Sequence, residues 1–317
     1  MNLLKFNILI AFTFLLISIV SCDVATQENS DNLSQSSTFV ATSPLPSKRS
    51  VKSVSDKSTH NVYSWLSEFS PKNALVNRIP TPASYERTKV AKNSFSDWLR
   101  HLPLKPEGTK VILHNGAKKY KQDAHTAVIN IDTGTRDLQQ CADAVMRLKA
   151  EYHFGLQEFE QIHFNYTSSD KVSFEDWRYG KKPIVSGNEV SFSSKTNTND
   201  NSYKNFKHYM RSIFNYAGTY SLSKEMQQIP MNDMQIGNVF IHGGFPGHAV
   251  IIVDMAVNEN GEKLFILAQS YMPAQDMHIL KNPNDRDLSP WYPVDFEGSL
   301  QTPEWTFRQS DLRRFRS

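Results

Sequence analysis

The stretch Gly247-His248-Ala249-Val250-Ile251-Ile252-Val253-Asp254 is the strongest strand signal in this chain. A short run of aliphatic, mostly β-branched residues that begins at a glycine is typical of a buried strand. The turn sequence Asn258-Glu-Asn-Gly261 follows it, and then a second apolar run, Lys263-Leu-Phe-Ile-Leu-Ala-Gln269. We therefore predict an antiparallel hairpin, with a further short strand over residues 239–241.

The clearest helix begins after Asp137-Leu-Gln-Gln140 and extends to Tyr152. Asp137 with Gln140 three residues later matches a capping box, which predicts Asp137 as the N-cap. The apolar residues fall on one face at helical spacing, so this helix should pack against a sheet. They are Leu138, Cys141, Val145, Leu148 and Tyr152.

Other segments give shorter signals. Residues 95–102 have the pattern of a short amphipathic helix. Residues 110–113 and 127–131 read as short strands on either side of the turn near Asn115-Gly116. The polar residues 195–202 predict a surface loop. Taken together, the pattern predicts an α+β domain.

The first 60 residues differ in composition from the rest. Behind Lys5, apolar residues 6–20 lead into Ile19-Val20-Ser21-Cys22, which is typical of an export signal closed by a lipobox. We predict that residues 1–22 are a lipoprotein signal peptide and that Cys22 carries the lipid. Residues 23–60 are rich in Ser, Thr, Asn and Gln, which predicts a disordered tether.

The remaining residues, 61–317, have the composition of a single globular domain. The whole chain of 317 residues is 39% hydrophobic and 21% charged, enough for a sizeable core. We divide the domain into an N-terminal part, residues 61–136, and a core over about 137–317. The formal charge of +3 is too small to indicate a nucleic-acid partner.

Cys141 is the one cysteine that remains after Cys22 is set aside. Cysteines outside the cytosol are usually paired in disulfides, so an unpaired one is either a small buried hydrophobe or a reactive group. The first turn of a helix stabilises a thiolate through free N–H groups and the helix dipole. The pKa of a reactive Cys141 is therefore expected to lie below the value of roughly 8.5 for a free thiol.

Two polar residues on the hairpin complete a candidate site. His248 opens the first strand and is the candidate general base, and Gln269 ends the second strand and is the candidate for orienting the imidazole. Whether the two side chains meet depends on register, because a slip of one residue turns a side chain to the other face. Gln139, Gln140 and Gln275 are candidates for an oxyanion hole or substrate contacts.

Gly237-Asn-Val-Phe-Ile241, followed by Gly247-His248 and an apolar strand, resembles the corresponding strands of NlpC-like cysteine peptidases of the papain-like group. The resemblance implies a nucleophile helix packed on an antiparallel sheet. Cys141 then matches the nucleophile, His248 the base and Gln269 the third residue. The chain departs from the pattern at Asn238, where that family usually has Asp, and at the Gln-Gln pair before Cys141.

A second set of motifs extends over nearly all of the globular part. The motifs are Leu138-Gln-Gln-Cys-Ala-Asp-Ala-Val145, residues 147–152, Tyr216-Ala-Gly-Thr-Tyr-Ser-Leu222, Phe245-Pro-Gly-His-Ala249, Ala268-Gln-Ser-Tyr-Met-Pro-Ala-Gln275 and Thr302-Pro-Glu-Trp305. Together they resemble the bacterial lipoprotein family called domain of unknown function 4846, a resemblance that implies no established reaction.

These observations lead us to expect a cysteine hydrolase of amide bonds, lipid-anchored to a membrane of the bacterial cell envelope. Peptidoglycan peptides are the first substrate expectation, because of the compartment. The alternative is a non-catalytic envelope lipoprotein that binds a peptide or glycan in the same cleft. We expect no cofactor and no metal, because Gly and Pro residues break the chain between His242 and His248 and no second ligand cluster completes a site.

Replacing Cys22 with Ser tests the anchor. Without the acceptor thiol the protein should leave the membrane fraction or accumulate as an unprocessed precursor, as cell fractionation and the precursor's mass would show. A processed Cys22→Ser variant that stays membrane-bound like the wild type would contradict the lipoprotein assignment.

Overall fold

The computed structural model describes residues 63–316, which combine helices with antiparallel strands in an α+β arrangement. The predicted signal peptide, lipidated Cys22 and tether lie outside the described residues. The helices are α1 Leu75–Arg78, α2 Phe95–Arg100, α3 Cys141–Gly155, α4 Phe174–Arg178, α5 Tyr203–Tyr216 and α6 Thr219–Glu225.

The strands comprise one large sheet and three small hairpins. They are β1 Tyr85–Arg87, β2 His125–Val128, β3 His163–Asn165, β4 Lys171–Ser173, β5 Pro183–Ser186, β6 Glu189–Phe192, β7 Gln227–Gln228, β8 Val239–His242, β9 His248–Asn258, β10 Lys263–Gln269, β11 His278–Leu280, β12 Trp291–Pro293, β13 Ser299–Gln301, β14 Thr306–Arg308 and β15 Leu312–Arg314.

The large sheet is built around the predicted hairpin. Its order is β2-β11-β10-β9-β8-β15-β7, with β1 added to β9 and β12 added to β10, and its pairs are antiparallel. β9 is buried over residues 248–256 and packs against α3, which explains its continuous apolar sequence. The predicted hairpin is confirmed, and the helix predicted over residues 95–102 forms over Phe95–Arg100.

The register of the hairpin changes part of the way along it. From the turn, pairing runs from Lys263 with Val257 to Ile266 with Asp254, and then Leu267 pairs with Ile252. Val253 is thus an extra residue in β9, as in a β-bulge. Directly opposed residues share a face of the sheet, and a bulge changes which residues are opposed.

This bulge decides the geometry of the polar residues at the far end. Without the extra residue, Gln269 would lie opposite Ile251, on the face away from His248. With it, Ala268 pairs with Ile251, so Gln269 comes opposite Val250, which shares a face with His248. The bulge therefore places the two predicted site residues on one face.

A buried ion cluster lies next to the bulge. Asp254 has no exposed side-chain surface, and its two carboxylate oxygens accept from Arg87 Nε and Arg100 Nε, both at 2.7 Å. Asp254 Oδ1 also accepts from the N–H of Met255 at 2.9 Å. These bonds connect β1 and α2 to the strand at the point where its register changes.

Two local predictions are wrong. Residues 110–113 form only isolated bridges rather than a strand, because the side chain of Gln122 bonds both the N–H and the carbonyl of Val111. The N-cap of α3 is Gln140 rather than Asp137, because Asp143 accepts from the N–H of Gln140 at 3.0 Å. Asp137 accepts instead from the N–H of Ala274 at 2.6 Å.

The remaining predicted elements need little correction. β2 spans His125–Val128 where residues 127–131 were expected, and residues 195–202 form the predicted loop. Among the described residues, no helix combines the length and apolar character that a membrane crossing requires.

Asp254→Ala should destabilise the fold strongly, because it leaves two guanidinium groups next to β9 without their carboxylate. Breaking a buried ion pair by removing one partner costs about 3–5 kcal/mol, measurable as a lower midpoint of urea unfolding. The exposed Asp287→Ala is the matched control and should change stability by less than about 0.5 kcal/mol. Equal midpoints for the two variants would contradict this role.

Candidate functional site

Cys141 is the first residue of α3 and lies against the start of β9. The main-chain N–H groups of Ala249, Ala142 and Cys141 itself lie close enough to its sulfur to lower the pKa of the thiol. Ala249 directly follows His248, so the thiol sits against the backbone that carries the predicted base. In the described part of the chain, no hydrogen bond joins the thiol to the imidazole of His248.

The pKa of the thiol is shifted in the direction opposite to the expected one. Only 9% of Cys141 is exposed, and burial, followed by the nearby Asp143, raises the pKa of the thiol to about 11. The nearby main-chain N–H groups lower the pKa of the thiol, but by less than burial and Asp143 raise it. The expectation of a thiolate below 8.5 is wrong for this resting state, because removal of solvent outweighs the first turn of the helix.

The side chains of His248 and Gln269, which lie on the same face of the sheet, contact each other. The ring Nε2 of His248 and the side-chain Oε1 of Gln269 are 2.8 Å apart, and both residues are 1% exposed. An amide oxygen can only accept a hydrogen bond, so Nε2 donates if the amide is oriented this way.

Glu304 fixes the orientation of that amide. Gln269 Nε2 lies 2.8 Å from Glu304 Oε2, and a carboxylate can only accept. Lys119 forms an ion pair with the same carboxylate oxygen, and the two side chains are 7% and 12% exposed. Lys119 therefore helps to hold the Glu304 carboxylate in place next to Gln269.

A second histidine supports the same orientation. His278 Nδ1 donates to the carbonyl of Asp276 at 2.8 Å, which leaves Nε2 of this ring as an acceptor. Gln269 Nε2 lies 3.3 Å from His278 Nε2 and donates to it. Burial lowers the pKa of His278 to about 3, so the ring is neutral near neutral pH.

The hydrogen bonds of Gln269 determine which ring nitrogen of His248 carries the proton. Since Glu304 and His278 both take the amide N–H groups of Gln269, Oε1 faces His248 and accepts from Nε2. Burial lowers the pKa of His248 to about 4, against the opposing hydrogen bond to Gln269. His248 is thus a neutral imidazole with its lone pair on Nδ1, the form required of a general base.

Aromatic rings enclose this imidazole. Its centroid lies 4.7 Å from that of Tyr271, 5.4 Å from Trp305 and 5.8 Å from Phe307. Tyr271 also lies close enough to Cys141 for the thiol to influence its pKa. The thiol, the imidazole and the Tyr271 ring therefore form one cluster.

The loop before His248 requires glycine for space. A Cβ on Gly247 would come within 2.2 Å of Thr219 Oγ1 and within 2.7 Å of the carbonyl oxygens of Gly244 and His242. Thr219 Oγ1 donates to the carbonyl of Gly244 at 3.2 Å, which holds the loop to α6. This close approach positions the start of β9.

The predicted oxyanion glutamines have other partners. Gln139 Oε1 accepts from Arg147 at 2.5 Å, and Gln140 Nε2 donates to Asp137 at 3.0 Å. Gln275 is 1% exposed, and its carbonyl accepts from Ser270 at 2.9 Å. Gln140 thus uses an amide N–H on Asp137, whereas Nε2 of Gln139 is buried and has no partner in the described part of the chain.

Sequence reasoning assigned no role to Glu304, Lys119, His278 or Tyr271. Glu304 and Tyr271 belong to the motifs Thr302-Pro-Glu-Trp305 and Ala268-Gln-Ser-Tyr-Met-Pro-Ala-Gln275, so polar residues in those motifs were a usable signal. Lys119 and His278 had no such signal. Over residues 63–316, no group of three or more His, Cys, Asp or Glu side chains is placed to hold a metal ion.

The comparisons with known proteins give one match. The sequence profile described as "Domain of unknown function (4846)" matches residues 75–314, which include every residue of the network just described. No curated protein and no solved structure matches the chain.

The resting thiol should react slowly with iodoacetamide near neutral pH, because alkylation requires the thiolate and the pKa of Cys141 is about 11. The labelling rate of the native protein, followed by mass spectrometry, should increase about tenfold per pH unit from neutral pH towards 10. A rate that is already fast and flat below pH 8 would show a thiolate at rest and contradict these electrostatics.

Proposed function

We propose that this chain, which belongs to the family described as domain of unknown function 4846, is a papain-like cysteine hydrolase of amide bonds. The description of the family names no reaction, so the proposal rests on the site itself. One observation carries the proposal. The chain Glu304–Gln269–His248 leaves the lone pair on Nδ1 of an imidazole at the strand end where the thiol of Cys141 lies.

In the proposed reaction, the Cys141 sulfur attacks the carbonyl carbon of the substrate while Nδ1 of His248 takes the thiol proton. The tetrahedral intermediate collapses, the C–N bond breaks, and the imidazolium returns the proton to the leaving amine. Water, deprotonated by His248, then attacks the thioester. The C–S bond breaks, the carboxylic acid is released, and the imidazolium returns the proton to the Cys141 sulfur. Gln269 orients the ring, and the main-chain N–H of Cys141 is the proposed oxyanion donor.

The resting pair is neutral in this proposal. With the pKa of the thiol raised and that of the imidazole lowered by burial, proton transfer is unfavourable before a substrate is bound. Transfer becomes productive when it is concerted with attack, because the negative charge then develops on the carbonyl oxygen rather than on sulfur. The resting site is correspondingly protected from alkylation and oxidation.

The proposed location and substrate rest on the sequence. A lipid on Cys22 would hold the domain at a membrane of the bacterial cell envelope, and peptidoglycan peptides are the amide substrates of that compartment. The NlpC-like resemblance supports the same class of substrate. The exposed Phe245, next to the loop that precedes His248, and the exposed Met272, next to Tyr271, offer apolar contacts beside the site.

A non-catalytic envelope lipoprotein that binds a peptide or glycan in this cleft is the second candidate. It is favoured by one observation, the raised pKa of a buried thiol that makes no hydrogen bond to His248 in the described part of the chain. The two candidates differ in whether the thiol forms a bond with the substrate.

Hydrolysis of peptidoglycan stem peptides by the full chain, followed as new amine and carboxyl termini by mass spectrometry, tests the proposal. Cys141→Ala should abolish turnover, and His248→Ala should lower kcat by at least about 10²-fold. Glu304→Gln should lower kcat with little change in KM, because it releases the amide of Gln269 without removing a substrate contact.

The exposed Glu259→Gln, in the β9–β10 turn, is the control for Glu304→Gln and should leave kcat unchanged. Stem peptides that bind to the wild type and to Cys141→Ala with the same affinity, with no turnover by either protein, would replace the hydrolase with the binding protein.

A further inference from the structure

A cavity of about 370 Å³ lies beside the segment that leads into Cys141. The loop from Asp132 to Gln139 forms one wall, and α3 and α5 form the other.

The cavity carries an excess of positive charge. Its lining includes four cationic side chains, Arg136, Arg147, Lys207 and Arg211, and one carboxylate, Asp132. Asp132 is shared between Arg147 at 2.7 Å and Lys207 at 2.6 Å. Burial first, and then repulsion by Arg147, lower the pKa of Lys207, as expected beside uncompensated positive charge.

Arg147 is held entirely by the protein. It is 1% exposed, and its guanidinium donates to Asp132, Gln139, Glu151 and Tyr203. It therefore forms the fixed floor of the cavity. Even when Glu151 is counted as ionised, the two acidic partners leave two positive charges without compensation.

The charges without a partner are those at the opening. Arg136 and Arg211 are exposed, and within residues 63–316 neither side chain forms an ion pair or a hydrogen bond. They belong to the loop and to α5, on two walls of the same cavity. Guanidinium groups are the side chains best suited to bind a carboxylate or phosphate group, and two unpaired ones line this cavity.

Gln139 adds a buried donor to the same lining. Its Oε1 accepts from Arg147, which fixes the orientation of the amide, and its Nε2 is buried and has no partner in the described part of the chain. A buried donor without an acceptor costs about 1–3 kcal/mol and calls for an explanation. An oxyanion that reaches this amide from the cavity, which Gln139 lines, would supply the missing acceptor.

We propose that this cavity binds a small oxyanion ligand, a carboxylate or a phosphate ester, between Arg136 and Arg211 with Gln139 as a further donor. The site is separate from the Cys141 chemistry and does not depend on the proposed hydrolase function. It is connected to that region, because the carbonyl of Gln139 accepts from Ser270, the neighbour of Gln269.

Isothermal titration of the full chain with sodium phosphate and, separately, sodium glutarate tests the proposal, with sodium chloride at matched ionic strength as the blank. Arg136→Gln and Arg211→Gln should each weaken binding about tenfold, the loss expected for one charge-assisted contact. Both arginines are exposed and unpaired, so the melting temperature should be unchanged. The exposed Arg286→Gln is the matched control and should bind like the wild type.

The two anions separate the possible sources of the ligand. Stronger binding of phosphate assigns a phosphorylated ligand, and stronger binding of glutarate assigns a carboxylic acid. The proposal is overturned if neither anion binds above the chloride blank, or if the Arg136→Gln/Arg211→Gln double variant binds as tightly as Arg286→Gln.

Discussion

The extra residue Val253 shifts the register of the β9–β10 hairpin by one position, and the polar contacts of the candidate site lie beyond that shift. Because side chains alternate between faces, His248 and Gln269 would point to opposite sides of the sheet without it. The ion cluster of Asp254 with Arg87 and Arg100 lies beside the bulge and connects the strand to neighbouring elements. The β-bulge at Val253 thus determines which polar side chains contact each other.

The residue that accepts from the imidazole of His248 is the neutral amide Gln269 and not a carboxylate. Gln269 separates the carboxylate of Glu304 from the imidazole, so an imidazolium at His248 has no directly bonded carboxylate. Burial by Tyr271, Trp305 and Phe307 then lowers the pKa of His248, while the amide still fixes the proton on Nε2. Burial likewise raises the pKa of Cys141. The site keeps its orientation but holds no charge on the thiol or the imidazole at rest.

The sequence predicted the elements that depend on local pattern. The apolar run of β9, the turn at residues 258–261 and the helix that begins at Cys141 each have a signal within a few residues. The bulge at Val253 has no such signal, since a run of aliphatic residues reads the same with or without one extra member. The contact of Gln269 with Glu304 spans 35 residues, and the ion pair of Lys119 with Glu304 spans 185. Such partners follow from the tertiary fold. The pKa of Cys141 was predicted in the wrong direction, because the sequence shows that Cys141 lies near the start of a helix but does not show how deeply it is buried.

The protonation state of the His248 ring tests the account most directly. In ¹⁵N-histidine-labelled protein near neutral pH, two-bond ¹H–¹⁵N spectra distinguish the two neutral tautomers and the imidazolium, and the signal lost in His248→Ala identifies the residue. The account predicts a neutral ring with its proton on Nε2 and the lone pair on Nδ1, with this tautomer preference weakened in Glu304→Gln. A proton on Nδ1, or a charged ring at neutral pH, would contradict the network and the base that it positions.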